Sequence, residues 1–144
     1  MKEIKIMRGL PGSGKSTYVR EILSDYQVCS ADHYFLDSFG KYHFDPSKIS
    51  EAHAACFRAA LKYTQAGERV VIDNTNIRAW EISPYVLLAQ SFGYDVEILQ
   101  VNAEVHTAHA RNTHGVPYKA IEAMAAALCA EALPPFWKVT RVQR

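Results

Sequence analysis

The chain has 144 residues, 16 Lys+Arg against 15 Asp+Glu, 49% hydrophobic residues and three Cys. That is the size of one compact domain, too apolar and evenly charged for a disordered segment and too poor in Cys for a disulfide scaffold. No uninterrupted apolar run reaches the roughly 20 residues that span a bilayer, and a net charge of +1 restricts any nucleic-acid contact to a local patch.

The first residues, MKEIKIMRGLPGSGKST, carry Lys2, Glu3, Lys5 and Arg8 where a secretory leader needs about 7–15 apolar residues. With few Cys this predicts a cytoplasmic, reducing setting, with Cys29, Cys56 and Cys129 as core residues. Ile4, Ile6 and Met7 mark a first strand. Residues 15–23 read as a helix with Val19, Ile22 and Leu23 on one face. Residues 27–31 form a second strand, and 33–45 a polar-aromatic loop around Gly40. Asp45-Pro46 starts a helix that runs to Ala66 and ends at Gly67, with Asp as cap and Pro in the first turn.

The run RVVID, residues 69–73, predicts a third strand buried on both faces, as in a parallel sheet. Ser83-Pro84 predicts the start of a helix ending near Gly93. Residues 94–101 form a fourth strand, and residues 104–112 and 117–132 two further helices around His114-Gly115. The run KVTRV near the C-terminus predicts a fifth strand. Alternating strands and helices indicate a three-layer α/β fold around a central parallel sheet, here a single domain over residues 1–144. The helices joined near 112–117 predict a small helical lid over approximately 104–120.

The sharpest motif is Gly9-Leu10-Pro11-Gly12-Ser13-Gly14-Lys15-Ser16, between a predicted strand and a predicted helix, which fits G-x-x-x-x-G-K-[ST]. Its glycines allow a tight turn whose N–H groups converge on an anion, and the helix start adds unpaired donors. Such a loop binds a nucleoside triphosphate with Mg²⁺ and leaves the phosphate acceptor open: Lys15 is expected on the outer phosphates, the Ser16 hydroxyl on Mg²⁺, and Thr17 on an inner phosphate.

Asp32 lies just past the second strand, where open α/β sheets form their crevice. There it can act as general base toward an acceptor hydroxyl, or merely cap a turn. Asp73 ends the third strand in the manner of a carboxylate that orients Mg²⁺ or holds a partner side chain. Asn74, Thr75 and Asn76 extend it as substrate contacts or as a structural turn. Arg111 is placed to neutralise a transferring phosphoryl group, or to stabilise a helix end through its dipole. Arg78, Lys119 and Lys41 are the candidate phosphate contacts, a thin set. His106, His109 and His114 lack the further ligands that zinc needs, and His33 beside Asp32 either touches substrate or is solvated. The ring-rich loop (Tyr34, Phe35, Phe39, Tyr42, Phe44) is either a mini-core or a stacking surface for a base.

Taken together, RGLPGSGKST, SADHYF, KYHFDP, VVIDNTN with WEISPYV, and RNTHGVP with Met124 resemble the P-loop polynucleotide 5′-hydroxyl kinase family, an AAA-type ATP-binding kinase module. Its branches include phage-type enzymes and the kinase-like modules of ubiquitin-ligase-binding proteins. The resemblance spans residues 8–124. It implies ATP at Lys15 and Ser16, Asp32 as base, Arg111 as lid arginine, and transfer of the γ-phosphoryl group to a 5′-hydroxyl of DNA or RNA. Phe35 stands where the phage-type pattern has a phosphate-contacting Arg, and His114-Gly115 near its second lid Arg. Both departures point away from tight polynucleotide binding, and Phe35, which the ubiquitin-ligase-binding branch shares, makes that branch the nearer match. Three functions compete: a polynucleotide 5′-kinase; a kinase for a nucleoside, nucleotide, sugar or antibiotic hydroxyl; and a non-catalytic nucleotide-binding module that controls a protein partner. None implies a membrane.

Overall fold

The computed structural model describes residues 1–143. Five strands form one sheet: β1 (Glu3–Arg8), β2 (Gln27–Cys29), β3 (Val70–Asp73), β4 (Asp95–Asn102) and β5 (Val139–Gln143). Their order is β2-β3-β1-β4-β5, and every neighbouring pair runs parallel. The helices are α1 (Lys15–Ile22), α2 (Ile49–Gln65), α3 (Ala79–Ser91), α4 (Val105–Arg111) and α5 (Tyr118–Ala130), with short 3₁₀ turns at Ala31–Phe35 and Pro46–Lys48. This is the expected α/β architecture with a central parallel sheet.

Alternation along the strands makes the layers, because successive side chains leave opposite faces. Ile4, Ile6, Val70, Ile72 and Ile98 pack against Cys56 and Ala60 of α2 and Ile82, Tyr85, Val86 and Ala89 of α3. Met7, Val71, Leu99 and Val101 face Val19 of α1 and Leu23. A third small cluster, Leu10, Ala108 and Ile121, ties the loop after β1 to α4 and α5. That cluster sets the distance between the glycine-rich loop and the helices that flank it.

Several boundaries differ from the sequence expectations. Helix α3 starts at Ala79, not at Ser83, and Pro84 lies inside it. Glu81 caps the earlier start by accepting from the Arg78 N–H at 3.0 Å, and Glu131 accepts from the Ala79 N–H at 2.8 Å. These two carboxylates satisfy two of the orphan donors at the helix start. Pro117 sits at the N-cap of α5, one place before its expected position. Asp45 does cap the entry to α2: its carboxylate accepts from the Ser47 N–H at 3.0 Å, through a 3₁₀ turn rather than directly. Ile22 is exposed while Val19 and Leu23 are buried, so the core stripe of α1 is narrower than expected. Cys29 and Cys56 are buried, but Cys129 is exposed, because it lies on the outer face of α5. No described helix is long and apolar enough to cross a membrane.

Candidate active site

The ends of β1, β2 and β3 open into one cleft of about 1140 Å³. Two glycines shape the end formed by the loop after β1. Gly14 caps α1 at φ +106, ψ 12, a left-handed conformation that side chains resist. Gly12 is also left-handed, at φ +80, and a Cβ built on it would lie 2.0 Å from the Ala108 carbonyl oxygen. Only glycine lets α4 approach the loop so closely.

Lys15 follows directly. Its side chain is buried, and Nζ donates to the carbonyls of Gly9 at 3.1 Å and Leu10 at 2.8 Å. Burial pulls its pKa down to about 8, opposed by the charges of Asp73 and Asp32. The ammonium is thus poorly solvated and held by neutral main-chain carbonyls, with the two carboxylates acting on it only from beyond ion-pair distance. Beside it, the Ser16 hydroxyl donates to Asp73 Oδ2 at 2.8 Å. A hydroxyl and a carboxylate held together are hard oxygen donors of the type Mg²⁺ takes.

Asp32 sits in the first turn of the 3₁₀ segment after β2. Ser30 Oγ accepts from its N–H at 3.2 Å, and Asn74 Oδ1 accepts from the preceding Ala31 N–H at 2.8 Å. The Asn74 bond ties the turn to the end of β3. Both carboxylate oxygens have neighbours: the Tyr42 hydroxyl donates to Oδ1 at 3.2 Å, and His114 Nδ1 lies 3.5 Å from Oδ2. Burial, with Asp32 adding to it, pushes the Tyr42 phenol up to about 12, so Tyr42 is a donor throughout the neutral range.

Among the expected site residues, Pro11, Gly12, Gly14, Lys15, Ser16, Thr17, Asp32, Asp73, Thr75 and Arg111 all line this cleft. Others do not. The Gly9 and Leu10 carbonyls hold Lys15 from behind, and the Leu10 side chain belongs to the third cluster. Ser13 is buried, and its hydroxyl has no partner among the described residues. Asn76, expected as a substrate contact, is instead a buried turn residue at φ +48. Its amide donates to the Met7 carbonyl at 2.7 Å. Arg78, also expected on substrate, lies at the start of α3 with Nη1 3.3 Å from Glu131 Oε1 and is not on the cleft wall. Nor are Lys41, Lys119 and His33.

The aromatic loop divides in two. Phe35 is buried, with ring centroids 5.2 Å from Phe44 and 6.0 Å from Tyr42, so these three make the mini-core. Phe39 is 93% exposed and belongs to no part of it. No group of three or more potential His, Cys, Asp or Glu metal ligands occurs among the described residues.

Four features were not visible in the sequence. Arg8 is 3% exposed and donates to the Asn76 carbonyl at 3.0 Å, Gln100 Oε1 at 2.7 Å and the Ile77 carbonyl at 2.6 Å, clamping the loop after Asp73. A charged residue at the buried end of a strand was the only hint. The Asn74 tether and the engagement of Asp32 by Tyr42 and His114 join positions far apart in the chain, and no spacing rule finds them. Gln143 of β5 reaches the same cleft.

Comparison with known proteins places this geometry. A family model described as an AAA domain matches residues 4–128. The chain belongs to that family. It is 36% identical over 127 residues to human NEDD4-binding protein 2, a match that covers 83% of the chain and 7% of that protein. Among solved structures, a chain of the Pnkp1/Rnl/Hen1 RNA repair complex superposes with a TM-score of 0.74 at 21% identity, covering 89% of this chain and 44% of that one. The Mycobacterium tuberculosis APS kinase CysC, solved with AMPPNP and APS, gives a TM-score of 0.65 at 16% identity, with coverage of 99% and 88%. The fold is therefore that of the P-loop kinases, and the chain spans only a small part of NEDD4-binding protein 2.

Proposed function

We propose that the chain is an ATP-dependent phosphotransferase that moves the γ-phosphoryl group to a hydroxyl, with the 5′-hydroxyl end of a polynucleotide as acceptor. The observation that carries this reading is the shared cleft. Lys15, Ser16, Asp32 and Asp73 all line it, so the groups assigned to the phosphates and to the acceptor proton share one volume.

Asp32 takes the proton of the acceptor hydroxyl. The hydroxyl oxygen bonds to the γ-phosphorus while the bond to ADP breaks, its electron pair leaving on the ADP oxygen. Lys15 neutralises charge on the phosphates. Arg111, at the end of α4 and on the cleft wall, covers the transferring group, with α4 and α5 serving as lid. Ser16 and Asp73 are the residues that would hold Mg²⁺, which would supply neutralisation of phosphate charge. Positioning and electrostatics of this kind account for most of the catalysis in phosphoryl transfer.

A smaller acceptor is the second reading, favoured by one observation. Every Lys and Arg among the described residues lining the cleft (Lys15, Arg20, Arg111) belongs to α1 or α4, while Tyr42, Phe44, Ile49 and His53 line it around the buried Phe35. That wall suits a base or another flat ring better than a row of phosphates.

Labelled ATP with Mg²⁺, offered 5′-hydroxyl oligonucleotides in one arm and nucleosides or small alcohols in another, separates the readings. Label on the oligonucleotide supports the first and label only on a small molecule the second. Tight ATP binding without transfer leaves a non-catalytic module. Asp32→Asn should keep ATP affinity and lose about 10²–10⁴ in turnover; undiminished turnover removes Asp32 from the mechanism.

A further inference from the structure

Rings from two distant segments line up beside Asp32. The planes of Phe44 and Tyr42 differ by 8° with centroids 6.3 Å apart, and those of Tyr42 and His114 by 10° with centroids 4.3 Å apart. Tyr42 and Phe44 come from the loop after the 3₁₀ turn, His114 from the turn between α4 and α5. Both segments are moored. Tyr42 leans on the buried Phe35 ring, and Asn112 Oδ1 accepts from the N–H groups of His114 at 3.2 Å and Val116 at 2.9 Å. Tyr42 is the one ring paired with His114 among the described residues. With one face so covered, the His114 side chain is still 40% exposed and lines the cleft, so its other face and rim are open to a ligand.

We infer that the open face of His114 is the platform on which the terminal base of the acceptor stacks, and that this base, not a phosphate, places the 5′-hydroxyl at Asp32. The inference rests on the phosphotransferase reading with Asp32 as base. Tyr42 and His114 both turn an edge to that carboxylate. The Tyr42 hydroxyl, in the plane of its ring, donates to Oδ1 at 3.2 Å, and His114 Nδ1, also in plane, lies 3.5 Å from Oδ2. A flat base laid on His114 extends the column by about 3.5 Å. With its sugar edge turned to Asp32, it brings the 5′-hydroxyl of the same nucleoside to Oδ2. That oxygen is open to it, because the Asp32 side chain is 49% exposed and Tyr42 holds only Oδ1.

Charge leaves this task to the rings. Among the described residues, no Lys or Arg between 33 and 53 or in the turn 112–117 lines the cleft, so no permanent cation on these segments waits for an acceptor phosphate. Stacking on a ring needs no charge and tolerates any base, since each has a π-face. It favours purines, whose two fused rings cover more of the imidazole.

Removing the base from the acceptor tests the platform. An oligonucleotide whose 5′-terminal nucleotide is abasic keeps the sugar and its hydroxyl. On the wild-type protein its KM should be raised roughly 5- to 150-fold, the equivalent of one lost base–ring stack, with a smaller effect on kcat. His114→Ala should raise KM similarly for the intact acceptor and add no further penalty for the abasic one. His114→Phe, which keeps a flat ring, should restore the difference. Independently of turnover, 2-aminopurine at the 5′ end, titrated with a non-hydrolysable ATP analogue and Mg²⁺ present, should be quenched on binding to the wild type and to His114→Phe but not to His114→Ala. Transfer in which base removal costs the same, or nothing, with and without the His114 ring overturns the platform and leaves the phosphotransferase reading standing, as does quenching that ignores the His114 ring. Absence of transfer to every acceptor overturns that reading and takes the platform with it.

Discussion

Gly12→Ala tests how closely α4 must approach the phosphate loop. The new methyl would stand 2.0 Å from the Ala108 carbonyl oxygen, 2.9 Å from its carbon and 3.1 Å from the Asn112 nitrogen. All three are main-chain atoms, so no side chain can swing away. Reaching ordinary contact near 3.4 Å requires loop and helix to part by about 1.4 Å. Arg111 ends α4 and moves with it, and misplacement of about 1 Å at a reacting group costs roughly 10² in rate. The left-handed conformation adds about 1–2 kcal/mol of strain. Gly93→Ala provides the control. Gly93 has φ +71 with nothing within 4 Å of the built Cβ, so it carries the strain without the collision. Urea denaturation should show a loss of about 1 kcal/mol for Gly93→Ala with normal turnover. Gly12→Ala should lose more stability and about 10² in single-turnover phosphoryl transfer. If Gly12→Ala turns over like Gly93→Ala, the close seating of α4 has no part in the chemistry.

The other predictions concern charge and tethers. The free protein sheds the Lys15 proton as pH rises through about 8, whereas bound phosphate favours the ammonium. ATP affinity should therefore fall roughly tenfold between pH 7 and 9, with proton uptake on binding above pH 8, read by calorimetry in two buffers; a flat profile refutes this, and Lys15→Arg should flatten it. Arg8→Ala strips three acceptors of their donor and should cost about 3 kcal/mol in urea unfolding, an unchanged midpoint counting against the clamp. Asn74→Ala frees the Ala31 N–H and loosens the turn that carries Asp32. Its kcat should drop roughly tenfold, the rate equivalent of one hydrogen bond, while ATP affinity holds; equal loss in both would mean general unfolding.

The sequence was most readable where a local rule applied. The phosphate loop depends on neighbours in the chain, and so did its position between strand and helix. The parallel sheet followed from apolar runs separated by helical periods. The rule failed at Ser83-Pro84, because proline marks a helix start only when the preceding residues lack their own caps. Here Glu81 from within the helix and Glu131 from 52 residues away supply them. Asn76 illustrates a different limit. Its polar side chain pointed equally to substrate or to a turn, and the choice was made by the Met7 carbonyl and by Arg8 on β1, contacts that exist only after β1 and β3 have paired. Cys129 misled because composition ranks cysteine as buried without knowing which face of α5 it occupies.

Near-neutral net charge and a polynucleotide acceptor are compatible if the cleft grips an end rather than a track. A protein that follows a phosphate backbone needs a continued row of cations, and its affinity then falls steeply with salt. This cleft has its cations on α1 and α4, the side assigned above to the donor phosphates by proposal, and the rings of Tyr42 and Phe44 elsewhere on its wall. Binding energy for an acceptor must then come from stacking on a terminal base, worth about 1–3 kcal/mol per base and insensitive to charge. Acceptor KM should consequently change little between low and moderate salt, and should depend on the terminal nucleotide far more than on oligonucleotide length. A steep salt dependence with affinity growing by length would instead require a basic path outside this cleft, and would break the link drawn here between the aromatic wall and the acceptor.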